Sequence, residues 1–254
     1  MEITILGTGT SQGVPVIGCT CDVCLSADPK DKRLRCSIYI KNEEEAFVVD
    51  VGPDFRQQIL REKINLMDAV LITHEHNDHV IGMDDLRPFN FMHKKDMPIY
   101  CTTQVQKQIK ERFAYAFEYN PYPGAPRFKL KDLDPVKSLQ LGSFSILPIP
   151  VFHGGLPVLG FRVADFTYIT DANEIPDSSM ELIEGTKTLV LNALHHRPHH
   201  SHFNLEQALA MVEKINPERT FLTHISHYMG KAEEINPSLP DNVQLAYDGQ
   251  KISL

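Results

Sequence analysis

Val70-Leu71-Ile72-Thr73-His74-Glu75-His76-Asn77-Asp78-His79 runs an apolar strand straight into four metal-ligating side chains within six residues. Strand ends are rigid and open onto loops, so they suit a site that needs both fixed geometry and access. On an extended backbone His74 and His76 project to the same side. Asp78 and His79 follow as the chain turns, placed to face a second ion. A solvated polar loop has no reason to hold four ligand types in this register.

Working outward, three more ligand-type residues close strand-like segments. His153 follows Ile149-Pro150-Val151-Phe152 and precedes Gly154-Gly155, Asp171 follows Tyr168-Ile169-Thr170, and His224 follows Phe221-Leu222-Thr223. Any one alone reads as a satisfied polar residue; together, strand ends on one edge can share a common centre. Further strands are read at Ile3–Leu6, Ser37–Ile40, Ala46–Val51, Phe144–Ile149, Leu159–Val163, Thr167–Thr170, Thr188–Leu191, Thr220–Leu222 and Val243–Tyr247, each short, β-branched or aromatic and bounded by turn residues. Helices are read at Asp54–Arg61, Thr103–Ala116 and Asn204–Lys214, the last with Asn204 as N-cap. Strands in runs with helices interspersed predict two sheets with outer helices. Tyr119–Pro126, rich in Pro, Tyr and Gly, reads as an irregular loop.

The chain has 254 residues, 25 basic against 33 acidic, for a net charge of -8. That length suits one large α/β domain, 1–254. An acidic surface disfavours extended contact with nucleic acid. The N-terminus shows no signal peptide and no apolar run spans a bilayer. Of five cysteines, Cys19, Cys21 and Cys24 lie within six residues, which argues against a disulfide framework and makes the cytoplasm the expected compartment. Cys36 and Cys101 sit in or beside apolar strands as small hydrophobes. Thiolate clusters of this kind bind zinc, and three cysteines need a fourth ligand.

The series His74-x-His76-x-Asp78-His79, His153, Asp171 and His224, with Gly7-Thr-Gly-Thr10 and Asp50-Val-Gly52, resembles the metallo-β-lactamase superfamily over essentially the whole chain. Gly13-Val-Pro15, the cysteine cluster and Thr223-His-Ile-Ser-His227 resemble its PhnP-type cyclic phosphodiesterases more closely. The resemblance implies a four-layer αβ/βα sandwich with the metals at one edge of the sheets. It implies His74, His76 and His153 on a first metal, Asp78, His79 and His224 on a second, and Asp171 bridging, with Asp50 supporting the site from behind. It implies His227 as the fourth partner of Cys19, Cys21 and Cys24 on a structural zinc. Homodimers are common among such relatives.

The nitrogen and oxygen ligand set suits Zn, Mn or Fe. Two ions about 3.5–4 Å apart hold a hydroxide as nucleophile and offset the charge of a phosphodiester. The departing alkoxide needs a proton, and His202 matches the histidine given that task in PhnP-type enzymes; His195, His196, His199 and His200 crowd the same stretch. Histidine is the commonest proton donor at neutral pH. The expected reaction is hydrolysis of a small phosphodiester, a cyclic phosphate being one candidate. The rivals are a tRNA 3′-processing endonuclease, a thioester or lactone hydrolase, and a non-catalytic metal-binding protein. Redox di-iron proteins of this fold carry Glu where this chain has His76. Arg56, Arg87 and Arg197 are weak candidates for phosphate contact.

Overall fold

Phe47, Val48 and Val49 are all fully buried, yet they bury on opposite sides: Phe47 and Val49 face one hydrophobic core and Val48 another. Leu189, Val190 and Leu191 do the same, with Val190 joining Phe47's core and its neighbours a third. A strand alternates its side chains every residue, so two apolar faces mean a sheet covered on both sides. The middle core therefore lies between two sheets, and each outer core lies under helices: Phe55, Phe89 and Ile109 on one side, Ala208 and Val212 on the other. This is the αβ/βα sandwich expected from the sequence.

The computed structural model describes residues 1–120 and 122–254; Pro121, in the expected loop Tyr119–Pro126, lies outside them. The first sheet contains β1 (Glu2–Gly7), β2 (Ser37–Lys41), β3 (Ala46–Val49), β4 (Ala69–Leu71), β5 (Met97–Cys101), β6 (Phe128–Asp132) and β14 (Gln250–Ser253), in the order β14-β1-β2-β3-β4-β5-β6. The second contains β7 (Leu139–Leu141), β8 (Phe144–His153), β9 (Leu156–Val163), β10 (Phe166–Ile169), β11 (Thr188–Asn192), β12 (Arg219–Thr223) and β13 (Val243–Leu245), in the order β13-β12-β11-β10-β9-β8-β7. Each sheet is antiparallel in one half and parallel in the other: β3 through β6, and β10 through β13, are parallel. The loops leaving parallel strands emerge on one edge, where α/β folds place their ligands. The backbone N–H of Leu159 donates to Thr73 O at 3.1 Å, tying the second sheet to the strand end that carries the histidine series.

Four strands escaped the sequence reading. β6 and β14 are edge strands carrying Lys129, Lys131 and Lys251, so their apolar content is low. β5 contains Pro98, which argues against an inner strand. β7 is only three residues long. The helix expected to Ala116 ends at Arg112 and gives way to a short 3₁₀ turn, Ala114–Ala116. The helix Leu205–Ile215 has Asn204 as its cap, in a reciprocal capping box with Gln207. No helix among the described residues is long and apolar enough to cross a membrane.

Candidate metal centre

Asp50 follows β3, His74 to His79 follow β4, His153 ends β8, Asp171 follows β10 and His224 follows β12. All seven residues assigned to the metals by sequence are brought together. Donor atoms of His74, His76 and His153 form one group, and those of Asp78, His79, Asp171 and His224 another, each within 4.8 Å of one another. Asp171 also groups with His153 and His202, so it stands between the two sets. His74 Nε2 lies 2.9 Å from His76 Nδ1. His79 Nε2 lies 3.3 Å from Asp78 and 3.4 Å from Asp171, and His224 Nε2 lies 3.0 Å from Asp171. Ligands about 2.1 Å from one ion at angles of 90–110° sit about 3.0–3.4 Å apart.

The nitrogens of this cluster supply the fit test. His79 Nε2 and His224 Nε2 are buried and close to carboxylate oxygens, yet neither makes a hydrogen bond of acceptable geometry. Buried polar atoms without partners are rare, and here each is of metal-ligating type. The outward nitrogens of three rings are fixed. His153 Nδ1 donates to Ser201 O at 2.7 Å, and His79 Nδ1 donates to Asp50 Oδ2 at 2.7 Å, leaving each Nε2 to face the centre. Asp50 also accepts from Thr73 N at 2.9 Å and from its hydroxyl, which meets His74 Nδ1 at 2.9 Å. Burial keeps the His74 pKa well below its usual range, so its lone pair is available. Burial opposes ionisation of Asp171, but His224 and His79 outweigh it and hold the carboxyl well below its usual range.

The backbone marks the same place. Asp50, Asp171 and His224 have φ of 64°, 58° and 55°, a left-handed conformation that non-glycine residues rarely adopt. Each lies within two residues of a strand end, so the chain turns sharply to aim the side chain inward. Gly52 is required by close approach: a Cβ there would stand 2.1 Å from the carbonyl oxygen of Asp78.

His202 is 8% exposed and its Nδ1 has no partner. Its ring lies 4.5 Å from those of both His153 and His224. Its neighbour Phe203 is pinned in both directions, with Leu194 N donating to Phe203 O and Phe203 N to Ala172 O.

The cysteine cluster is separate. Cys19, Cys21 and Cys24 sulfurs lie 3.3, 3.4 and 3.5 Å from one atom, His227 Nδ1. A tetrahedral zinc, with Zn–S near 2.3 Å and Zn–N near 2.0 Å, places sulfur and nitrogen about 3.5 Å apart. Hydrogen bonding from the Cys24 backbone, joined by His227, Cys19 and the Cys24 thiol and opposed only by burial, lowers Cys21 to about 6; burial pushes Cys24 up to about 11. The short link to His224 is held by Ile225, which exchanges backbone hydrogen bonds with Thr8 and Thr10 after β1.

Residues 45–225 match the family described as the beta-lactamase superfamily domain. A solved diphosphatase of the PhnP family aligns with a TM-score of 0.93 at 38% identity, over 100% of this chain and 97% of that one. The chain belongs to the metallo-β-lactamase superfamily and, within it, to the PhnP family. An octanoyltransferase of Porphyromonas gingivalis is 38% identical over 251 residues, 98% of this chain and 51% of that protein. A ribonuclease Z of Methanococcus maripaludis is 27% identical over 63% of this chain and 48% of its own length. The chain thus spans about half the length of these curated relatives. Zinc-bound PqqB of Methylobacterium extorquens, at 18% identity and a TM-score of 0.82, shares the fold.

Membership of the PhnP family implies divalent metals, and the two clusters fit them. Sequence reading missed Thr73 and the Ser201 carbonyl, which orient His74 and His153. Thr73 directly precedes His74, a position from which a hydroxyl reaches back to Asp50; a carbonyl leaves no mark in a sequence. Arg87 is engaged by Asp84, while Arg56 and Arg197 stand exposed.

Proposed function

We propose that this chain hydrolyses a small phosphodiester, with His202 as the general acid. The observation that carries this reading is the placement of His202: a buried imidazole with a free ring nitrogen, packed between His153 and His224 at the mouth of a seven-ligand cluster. Two divalent ions, Zn, Mn or Fe, would be held by His74, His76 and His153, by Asp78, His79 and His224, and by Asp171 between them. When bound they supply Lewis acidity and neutralise the charge of the phosphodiester.

The chain's own residues do the rest. Asp50 and Thr73 lock the rings of His79 and His74, and the Ser201 carbonyl locks His153. Hydrolysis consumes one water: its oxygen bonds to phosphorus, the ester P–O bond breaks, and the leaving oxygen takes a proton from His202, which recovers one from solvent. Burial, with His224 alongside, pushes His202 down to about 2 in the free protein. An anionic substrate beside the ring works in the opposite direction and favours the protonated imidazole that this transfer needs. Cys19, Cys21, Cys24 and His227 would hold a structural zinc that pins the loop after β1 to the segment carrying His224.

The net charge of -8 favours a small anion that reaches the metals over a long polyanion held along the surface. The working compartment is the cytoplasm, and a homodimer is the proposed assembly. The test is turnover by metal-loaded protein on a panel of phosphodiesters, phosphomonoesters, thioesters, lactones and precursor tRNA. Preference for small phosphodiesters is the expected result. Efficient cleavage of thioesters or lactones without phosphodiesters would sink the proposal, and precursor tRNA as best substrate would favour the ribonuclease reading.

A further inference from the structure

Cys21-Asp22-Val23-Cys24 is a Cys-x-x-Cys run that opens a helical turn. Cys21 stands just before the short helix Asp22–Leu25 with an extended backbone, and Leu25 N donates to Cys21 O at 3.0 Å. Residues three apart in such a turn share one side, so the Cys24 sulfur comes back towards that of Cys21. The two sulfurs lie 3.4 and 3.5 Å from His227 Nδ1 and within 4.8 Å of each other. Cys-x-x-Cys pairs at this spacing are the ones that pass between dithiol and disulfide in oxidoreductases.

The sulfurs differ in access. Cys21 is exposed, as are its neighbours Thr20 and Asp22. Cys24 is only 4% exposed, and its sulfur accepts from Val16 N at 3.4 Å. A small oxidant can reach the first sulfur, and the second waits behind it. Cys36 and Cys101, at 2% and 0% exposed, are shielded from the same reagent.

We infer that Cys21 and Cys24 form a modification site for peroxides: oxidation joins them in a disulfide, which releases the zinc and frees His227 from the loop after β1. This rests on the structural zinc proposed for the cluster. The Cys21 sulfur attacks one oxygen of hydrogen peroxide, the O–O bond breaks and hydroxide leaves, giving a sulfenic acid. The Cys24 sulfur then attacks the Cys21 sulfur and displaces a second hydroxide. Two electrons pass from the sulfurs to the peroxide, and two protons from solvent turn the hydroxides into water. Cys19 and His227 remain, too few for a structural zinc that takes four ligands. The oxidised protein then resembles the Cys21→Ser variant, and a thiol reductant with zinc restores it.

The test uses the whole chain with zinc at the cysteines and manganese at the catalytic positions, treated with stoichiometric hydrogen peroxide. A chromogenic chelator should detect one zinc released per chain, two of the five thiols should disappear, and peptide mass mapping should find the Cys21–Cys24 disulfide. The thermal midpoint should fall to that of Cys21→Ser, and dithiothreitol with zinc should reverse the change. Cys21→His keeps a fourth ligand without the attacking sulfur, so it should hold its zinc under the same treatment; the wild-type mapping decides alone where that variant does not fold. Zinc retained by the oxidised wild type, thiols lost without a Cys21–Cys24 bond, or release as fast from Cys21→His overturns the inference and leaves the structural zinc in place. Cysteines that hold no zinc in the reduced protein overturn both, and the phosphodiesterase reading stands or falls separately, on its substrates.

Discussion

Replacing Asp50 by Asn changes one atom of the side chain and tests whether the buried carboxylate organises the metal cluster. Asp50 is fully buried and accepts from Thr73 N, the Thr73 hydroxyl and His79 Nδ1. Asn tolerates the left-handed backbone at φ 64°, so the turn survives. The carboxamide, however, has one acceptor oxygen for donors that now engage two. Either His79 Nδ1–H or the Thr73 pair loses its partner, and His79 is no longer held with its Nε2 lone pair towards Asp78 and Asp171. Removing such supporting groups typically costs about 10–100-fold in metal affinity. Asp50→Ala gives up the tolerance of Asp for the left-handed backbone and leaves three buried donors unpaired at about 1–3 kcal/mol each. Thermal midpoints should therefore order wild type, Asn, Ala, with the alanine variant at least roughly 6 °C below wild type. Chelator competition measures affinity, and unfolding scans with and without chelator separate the metal contribution from the fold. An Asp50→Asn protein that keeps wild-type affinity at both positions would refute the orienting role.

His202→Ala should slow diesters with poor leaving groups by roughly 10²–10⁴-fold while sparing p-nitrophenyl esters, whose leaving group needs no proton; equal loss on both would assign His202 to binding. Cys21→Ser should lose one zinc, lower the thermal midpoint and weaken metal binding at His224 with the fold intact, and a metal-replete, fully active variant would remove the cysteine cluster from the account of the site. Asp248 lies outside the metal cluster, and burial, only partly offset by hydrogen bonds from Leu34 and Thr8, raises its carboxyl to about 6. A raised carboxylate holds its proton more tightly in the folded state, so its contribution to stability falls as pH rises from about 4, the unfolded value, to about 6, and is constant above. Carboxyl NMR of Asp248 should show a midpoint near 6; titration below 4 would contradict it.

Much of this was legible because the chemistry sits where sequence patterns are strongest. The run from Val70 to His79 shows both a strand and its ligands, and His153, Asp171 and His224 each close an apolar segment that buries on two faces. Asn204 announced its helix as a capping side chain ahead of apolar residues at helical spacing. What stayed hidden depends on pairing in three dimensions. β6 and β14 become strands because β5 and β1 offer an open edge, and nothing within Phe128–Asp132 or Gln250–Ser253 requires it. Pro98 disfavours an inner strand, yet β4 and β6 pair with its segment on both sides. The left-handed turns at Asp50, Asp171 and His224 are invisible in sequence because none is a glycine.

The central claim is tested most directly by stripping the protein with chelator, reloading it with zinc or manganese in measured equivalents, and following bis(p-nitrophenyl) phosphate. Activity should vanish on stripping and return as the catalytic positions fill, and Asp78→Ala and His76→Ala should not recover it. Hydrolysis that survives complete removal of metal, or that never appears at full metal loading, would contradict the assignment of this edge of the sandwich as a metal-dependent phosphodiesterase site.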